Sequence, residues 1–238
     1  MTTPQLIAHR GGPVYAPENT LAAFRHAIGL GSDWLECDVH LSRDGVPVVI
    51  HDESVDRTTD GTGRIADLSL AEVQALDAGN GERVPTFAQL LALAQAAEIG
   101  LLVEMKSPHL YPGLEAKIVQ AIVEADYVNK TILQSFDPRA LEVTHALNPA
   151  IRLCQLYEQP PLRLAALPPY VSLIGPVAEA VIFYPWLMRQ AHATGRQVFV
   201  WFGRFEHPLL LRWLIALGVD GLIVNDPLAL AKILKRDA

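Results

Sequence analysis

Three features on which many proteins depend are scarce in this sequence: cysteine, excess positive charge and long apolar runs. Only Cys37 and Cys154 are present. We therefore expect a reducing compartment and no framework of disulfides. Acidic residues outnumber basic ones by 26 to 19, which argues against general nucleic-acid binding. No apolar stretch approaches the roughly 20 residues of a membrane-spanning helix, and the N-terminus lacks a signal-peptide pattern. We therefore expect a cytoplasmic protein without stable membrane insertion.

The chain does contain enough apolar sequence for one large core. Half of its 238 residues are hydrophobic, which is not the composition of a disordered chain. This length is ordinary for one α/β barrel. We therefore expect a single domain over residues 1–238.

Short apolar runs alternate with helical patterns along the chain. The predicted strands cover residues 5–9, 34–39, 101–106, 131–134, 151–155, 171–174, 197–201 and 221–224. The predicted helices cover residues 20–29, 86–97, 113–125, 138–147, 178–194, 208–217 and 227–235. Strands separated by helices predict a parallel sheet. Eight repeats in this length favour closure into a (β/α)8 TIM barrel, with an open doubly wound sheet as the alternative.

Three segments do not follow this alternation. Residues 46–51 are apolar and come after the second strand with only a turn between, so they predict a short extra strand or an extension of that excursion. Residues 52–85 are polar and rich in Gly, Thr and Asp, which indicates a small insertion after the second strand. The proline-rich segment 157–170 is expected to form a rigid connector, with a wall over the pocket as the alternative.

Acidic residues interrupt two of the apolar strands. Glu36 and Asp38 are two positions apart on a strand, so their side chains share one face while Cys37 points away. Glu104 lies on the next major strand. Because barrel strands are covered on both faces, such carboxylates need a reason to be there. The strand ends are where barrel enzymes build their sites, so we expect the three acids to meet at one rim.

Electrostatics favours a cation between these acids. Two carboxylates about 4 Å apart repel by about 4 kcal/mol at an effective dielectric of about 20. Three of them would either take up protons or bind a metal. Glu36, Asp38 and Glu104 offer only oxygen ligands, which suits one divalent cation, Mg²⁺ or Ca²⁺, although zinc and manganese stay open.

Two histidines and two cations are expected at the same rim. His9 ends the first predicted strand, and His51 ends the extra apolar run. Histidine titrates near neutral pH, so these two rings are candidates for a general acid and a general base. Arg10 and Lys106 would neutralise phosphate oxygens. Together these side chains predict hydrolysis of a phosphodiester.

At this point the motifs resemble those of the glycerophosphodiester phosphodiesterase family, of the bacterial cytoplasmic type. They are HRGG at 9–12, PENT at 17–20, ECDV at 36–39, DG at 44–45, PVV at 47–49, HD at 51–52, RTT at 57–59, GTG at 61–63, PTF at 85–87, VEMK at 103–106 and GVDG at 218–221. The resemblance is densest over residues 6–106 and continues more thinly to 236.

This resemblance implies a TIM barrel with an insertion near 52–85 and a divalent ion on the three acids. It implies that His9 and His51 are the acid–base pair, and that small-molecule glycerophosphodiesters are cleaved to glycerol 3-phosphate and an alcohol. We expect Asn19 to support the site by hydrogen bonding. Trp201 is expected to pack on the glycerol, with simple barrel packing as the alternative. Attack by the neighbouring glycerol hydroxyl, through a cyclic phosphate, and direct attack by water are both open.

The chain departs from the family pattern at two places. The family often has W-T-V-N where this chain has Trp201 followed by Phe202, Gly203 and Arg204, and a Thr-Asp pair where it has Val224 and Asn225. These changes bear on which alcohol moiety the substrate carries. Two rival functions are a lysophospholipase D-like enzyme that acts on lipids and a non-catalytic barrel that binds phosphate compounds. The sequence also leaves a homodimer open.

Overall fold

The chain folds into the predicted (β/α)8 TIM barrel. The structure is a computed structural model that describes residues 3–159, 164–203 and 205–236. In chain order its strands are β1 (Gln5–Ala8), β2 (Trp34–Leu41), β3 (Pro47–Val49), β4 (Gly100–Met105), β5 (Thr131–Ser135), β6 (Arg152–Tyr157), β7 (Val171–Pro176), β8 (Gln197–Trp201) and β9 (Gly221–Val224). All except β3 pair in parallel, and β1 pairs with both β2 and β9, which closes the barrel.

Helices lie between the strands and cover the outside of the barrel. They are α1 (Leu21–Gly29), α2 (Leu70–Ala75), α3 (Phe87–Ala97), α4 (Leu114–Glu124), α5 (Pro138–Leu147), α6 (Ala178–Phe183), α7 (Trp186–Ala193), α8 (Pro208–Ala216) and α9 (Pro227–Ile233). Several begin with the residues that stabilise helix starts. Thr20 and Thr86 cap α1 and α3 through their side chains, and proline occupies the first position of α5, α8 and α9.

Side chains alternate along each strand between the barrel interior and the helix layer. On β4, Leu101 and Val103 pack with the helices, whereas Leu102 packs inside the barrel with residues from other strands, such as Ile7 and Phe199. This period of two places every second residue inside, with the polar ones at the carboxyl end. Apolar packing therefore fills the barrel below the rim, and polar chemistry is confined to the rim.

Two of the predicted element bounds are wrong in an informative way. The predicted helix 178–194 is two helices, α6 and α7, because Pro185 lacks a backbone N–H and its ring opposes a continuous helix. The first predicted strand ends at Ala8 rather than at His9, which begins a tight turn over His9–Gly11. The run 46–51 contains β3, an extra strand antiparallel to β2.

The predicted insertion after the second strand contains α2, and its apolar residues form a small cluster with two residues of the run 46–51. The cluster comprises Val48, Ile50, Val55, Ile65, Val73, Ala78 and Val84. The assignment of 1–238 to one domain with insertion bounds of 52–85 stays a prediction. Of the connector 157–170, residues 160–163 lie outside the described part of the chain. Within the described part, no helix combines the length and apolar character that crossing a bilayer requires.

Replacement of Leu102 by alanine is expected to lower the free energy of unfolding by about 2–5 kcal/mol, because the side chain is fully buried in the barrel interior. Leu147→Ala is the matched control, since that leucine is 48% exposed at the end of α5. Its cost should stay within about 0.5 kcal/mol. Urea unfolding followed by circular dichroism measures both, and equal costs would contradict the layered interior.

Candidate active site

The structure brings the three predicted acids together at the carboxyl end of the barrel. Glu36 and Asp38 lie on the inner face of β2, and parallel pairing sets Asp38 beside Glu104 of β4. All three side chains are buried. One ligand oxygen from each lies within 4.8 Å of the others. The strand period therefore forces three carboxylates into one small volume.

This crowding shifts the pKa values of the three acids in different directions. Burial, with the charges of Asp38 and Glu104, raises the pKa of Glu36 well above its usual range. Burial also raises the pKa of Glu104 to about 7, against the opposing effect of Lys106. Burial would raise the pKa of Asp38 as well, but Lys106 and Arg10 hold it below the usual value. The cluster thus lacks enough positive charge to ionise all three acids.

The same acids fit a divalent cation. Their donor atoms are all carboxylate oxygens, the ligands that Mg²⁺ and Ca²⁺ prefer. Asp38 Oδ1 is buried and accepts no hydrogen bond from the described residues, although Lys106 Nζ lies 3.6 Å away. A buried acceptor without a hydrogen-bond donor is costly, so this oxygen is suited to coordinate a positively charged ion. Glu36, Asp38 and Glu104 could therefore hold one ion.

Two polar side chains fix the orientation of these acids. Asn19 Nδ2 donates a hydrogen bond to Asp38 Oδ2 at 2.9 Å. Gln134 Nε2 donates to Glu36 Oε1 at 3.1 Å, a contact that sequence reasoning missed. A signal was present, because Gln134 is a polar residue on an apolar strand, in register with Glu104. Asp38 and Glu36 thus each have one oxygen held by a neighbouring amide.

His9 lies in the turn after β1 and faces the cavity with one ring nitrogen. Its Nδ1 lies 2.7 Å from Asn225 Oδ1, and its Nε2 lies 3.9 Å from Glu36 Oε2. Burial and the nearby Arg10 guanidinium lower the pKa of His9 to about 4. Neutral imidazole is therefore the form that this environment favours. A neutral ring bonded through Nδ1–H leaves Nε2 free to accept a proton.

His51 lines the same cavity as His9 and is held by its own set of partners. Asp52 Oδ1 accepts from its Nδ1 at 2.6 Å, and Lys106 Nζ lies 3.1 Å from its Nε2. Buried His40 donates to the backbone carbonyl of His51 at 3.0 Å. Burial lowers the pKa of His51, with Lys106 and Arg10 acting in the same direction and Asp38 and Asp52 against it. Both predicted histidines therefore direct Nε2 toward the acid cluster.

A network of ion pairs links Arg10 to His51 through Glu18, Arg57 and Asp52. Arg57 Nε donates to Asp52 Oδ2 at 2.6 Å, and its two terminal nitrogens donate to the two oxygens of Glu18 at 2.9 and 2.8 Å. Glu18 also accepts from Arg10 Nη1 at 3.0 Å. Asp52 and Arg57 belong to the quoted motifs, but sequence reasoning gave them no role. The network orients His51 through charge-assisted hydrogen bonds.

The predicted cations, Arg10 and Lys106, lie among the acids in this structure. Lys106 Nζ is 3.0 Å from Glu104 Oε1, and Arg10 Nε is 3.3 Å from Asp38 Oδ2. Arg10 has φ of +52°, and its backbone N–H donates to Glu36 Oε2 at 3.0 Å. Both side chains line the cavity. Each is therefore available both to the acids and to an anion that enters.

A cavity of about 750 Å³ opens above these residues. Its polar lining includes Glu36, Glu104, the two histidines, Arg10 and Lys106, and most of its other lining residues are apolar. Trp201 is one of these apolar lining residues; its ring meets Phe136 edge-on at 5.8 Å, and its N–H donates to the Gly175 carbonyl. Arg204, part of the departure from the family pattern after Trp201, lies outside the described residues. The cavity thus combines ionic and aromatic lining residues.

Comparison with known proteins gives consistent matches. The model of the Glycerophosphoryl diester phosphodiesterase family matches residues 9–229. The glycerophosphodiester phosphodiesterase of Caldanaerobacter subterraneus is 36% identical over 97% of this chain and 98% of its own length. An Oleispira antarctica phosphodiesterase, solved with the product sn-glycerol-3-phosphate, superimposes with a TM-score of 0.88 at 29% identity, covering 98% of this chain and 97% of its own. The Agrobacterium tumefaciens glycerophosphodiester phosphodiesterase gives a TM-score of 0.83 at 28% identity, with coverages of 96% and 99%.

Glu36→Gln is expected to weaken binding of Mg²⁺ or Ca²⁺ at least about tenfold, because the charge count of the ligands sets affinity for such ions. Isothermal titration calorimetry measures the affinity directly. Thermal unfolding gives a second readout, since an ion at 100 times its Kd stabilises the native state by about 2.7 kcal/mol. Glu124→Gln on the surface of α4 is the matched control. Equal affinity of the two variants would remove Glu36 from the ion site.

Proposed function

Since this chain belongs to the Glycerophosphoryl diester phosphodiesterase family, we propose that its rim cavity is the active site in which it hydrolyses glycerophosphodiesters to glycerol 3-phosphate and an alcohol. The observation that carries this proposal is a cluster of three buried acids, two of which line one cavity together with two imidazoles. The product bound by the Oleispira relative supports the glycerol 3-phosphate half of the reaction.

Glu36, Asp38 and Glu104 would hold one divalent cation, Mg²⁺ or Ca²⁺, in this proposal. Such an ion, when bound, neutralises charge on the phosphate and lowers the cost of the charge that develops there. Asn19 and Gln134 would orient Asp38 and Glu36, and the bound ion would favour the ionised form of all three acids. Their hard oxygen donors favour these two ions over zinc.

Arg10 and Lys106 would bind the phosphate. Arg10 presents a fork of donors suited to two phosphate oxygens, and Lys106 acts as a point charge. Both now contact the acid cluster. An anion that enters the cavity would add to these contacts, because both side chains line its wall. The glycerol would pack against Trp201, one of the apolar residues that line the cavity.

His9 and His51 would carry the protons at Nε2. Each ring has its Nδ1 engaged, by the Asn225 amide for His9 and by the Asp52 carboxylate for His51. One ring would take the proton of the attacking oxygen and the other would give one to the leaving alkoxide. The attacking oxygen is the neighbouring glycerol hydroxyl in a cyclic-phosphate route and water in a direct route. Phosphorus NMR detects the cyclic phosphate only in the first.

A lysolipid substrate is a second candidate that one observation favours. Val14 and Phe136 line the cavity, yet their side chains are 59% and 40% exposed. Apolar groups at a cavity mouth suit an acyl chain better than they suit water.

Cytoplasmic location, absence of nucleic-acid partners and a homodimer stay predictions from the sequence.

Activity should depend on a divalent ion and on the glycerol part of the substrate. The panel consists of glycerophosphocholine, glycerophosphoethanolamine, glycerophosphoglycerol and a lysolipid, each assayed with Mg²⁺, with Ca²⁺ and with chelator. We expect release of glycerol 3-phosphate from the soluble diesters and loss of turnover in chelator. Full turnover in chelator would refute the dependence on a divalent ion. Turnover of the lysolipid alone would favour the lysolipid as the substrate.

His9→Ala and His51→Ala should each lower kcat at least about 100-fold, because each removes a general acid or base. The change in KM should be small, since neither ring carries the charge that binds phosphate. Steady-state kinetics at saturating Mg²⁺ separates the two constants. His192→Ala, on the exposed surface of α7, is the control. A variant that raises KM with kcat unchanged would reassign that histidine to substrate binding.

A further inference from the structure

Glu206 is a carboxylate on the connection between β8 and α8 that the proposed reaction does not use. Its two oxygens accept hydrogen bonds from consecutive backbone N–H groups, those of Asn225 at 2.6 Å and Asp226 at 3.0 Å. Burial raises the pKa of Glu206, and the two N–H groups act in the opposite direction. Both oxygens are therefore committed to the backbone that directly follows β9.

Asn225 connects this backbone to His9. The parallel register of β1 and β9 pairs Ala8 with Val224, so His9 and Asn225 are the next residues on the two chains. Asn225 Oδ1 lies 2.7 Å from His9 Nδ1. An amide oxygen only accepts, so a neutral His9 carries its proton on Nδ1. The amide thus selects the tautomer whose Nε2 lone pair faces the acids.

The turn that carries Asn225 is also held from its other side. Asp226 Oδ1 accepts from the Tyr15 hydroxyl at 2.6 Å and from the Ala229 N–H at 2.9 Å, where it caps α9. Gly12, in the left-handed region, packs so closely that a Cβ there would lie 3.0 Å from Pro227. The position of Asn225 is therefore fixed by contacts that do not involve the His9 ring.

We propose that Asn225 and Glu206 are positioning residues for His9. Glu206 holds the backbone at the end of β9, and Asn225 fixes the orientation and tautomer of the imidazole through Nδ1. Neither acts on the phosphate directly. This inference rests on the proposed acid–base role of His9. It also gives a role to Asn225, one of the two places where the chain departs from the family pattern.

The kinetic test compares variants that remove or keep the acceptor. Asn225→Leu has similar size and no acceptor, and should lower kcat about 10- to 100-fold, as loss of a partner that orients a functional histidine does. KM should stay within about threefold, because phosphate binding is untouched. Asn225→Asp keeps an acceptor and should recover most of kcat. Glu206→Gln keeps one acceptor oxygen and should give a smaller loss, which carries the test if Asn225→Leu fails to fold.

Tyr15→Phe is the matched control, because it removes a hydrogen bond to the same turn without changing either partner of His9. Its kcat should fall less than in either of the other variants, because the two Glu206 hydrogen bonds and the close Gly12–Pro227 packing still hold the turn. Wild-type kcat in both Asn225→Leu and Glu206→Gln would overturn the proposal, as would a Tyr15→Phe loss as large as theirs. Full activity of His9→Gln would instead refute the acid–base role of His9, so the two failures are distinguishable.

Nitrogen NMR reads the tautomer without reference to turnover. Protein labelled with ¹⁵N-histidine and loaded with Mg²⁺ should show His9 as the Nδ1–H form, assigned by the signal that His9→Gln removes. Asn225→Leu should shift that signal toward the Nε2–H form, whereas Tyr15→Phe should not. A wild-type His9 in the Nε2–H form would contradict the proposed hydrogen bond.

Discussion

The repulsion between three buried carboxylates is the constraint on which the rest of the site depends. Glu36, Asp38 and Glu104 are brought together by strand period and register, which the barrel cannot relax without unpairing β2 from β4. In the low dielectric of the rim, that repulsion is large unless positive charge is near. Lys106 and Arg10 supply part of it. The part of the repulsion that these two cations do not offset explains why the cluster fits a divalent ion.

The two imidazoles have chemically different supports around this common centre. His51 bonds a carboxylate, Asp52, which is itself paired with Arg57, whereas His9 bonds the neutral amide of Asn225. A carboxylate partner stabilises an imidazolium and an amide does so less. The environments of the two rings are therefore unequal before any substrate binds. Such inequality is what a reaction that both removes and delivers a proton requires.

The acids were predictable from the sequence because they follow a local rule. Glu36 and Asp38 share a face by strand period, and Glu104 repeats the pattern on the next major strand. The partners of His9 follow no local rule. Asn225 lies 216 positions from His9, and Glu206 accepts its hydrogen bonds from backbone N–H groups near the other end of the chain, so periodicity carried no signal for either. Pro185 is also a local signal, since a proline in the middle of 178–194 divides that predicted helix in two.

Barrel closure accounts for this division. The acid cluster needs only the neighbouring strands β2 and β4, whose paired residues Asp38 and Glu104 lie 66 positions apart. The orientation of His9 needs β1 to pair with β9, the last strand, in the register that sets Ala8 beside Val224. The ion ligands and the imidazole support thus depend on different strand pairings within one barrel. The closing pair is what completes the site, because it places an amide from the end of the chain against a histidine from its start.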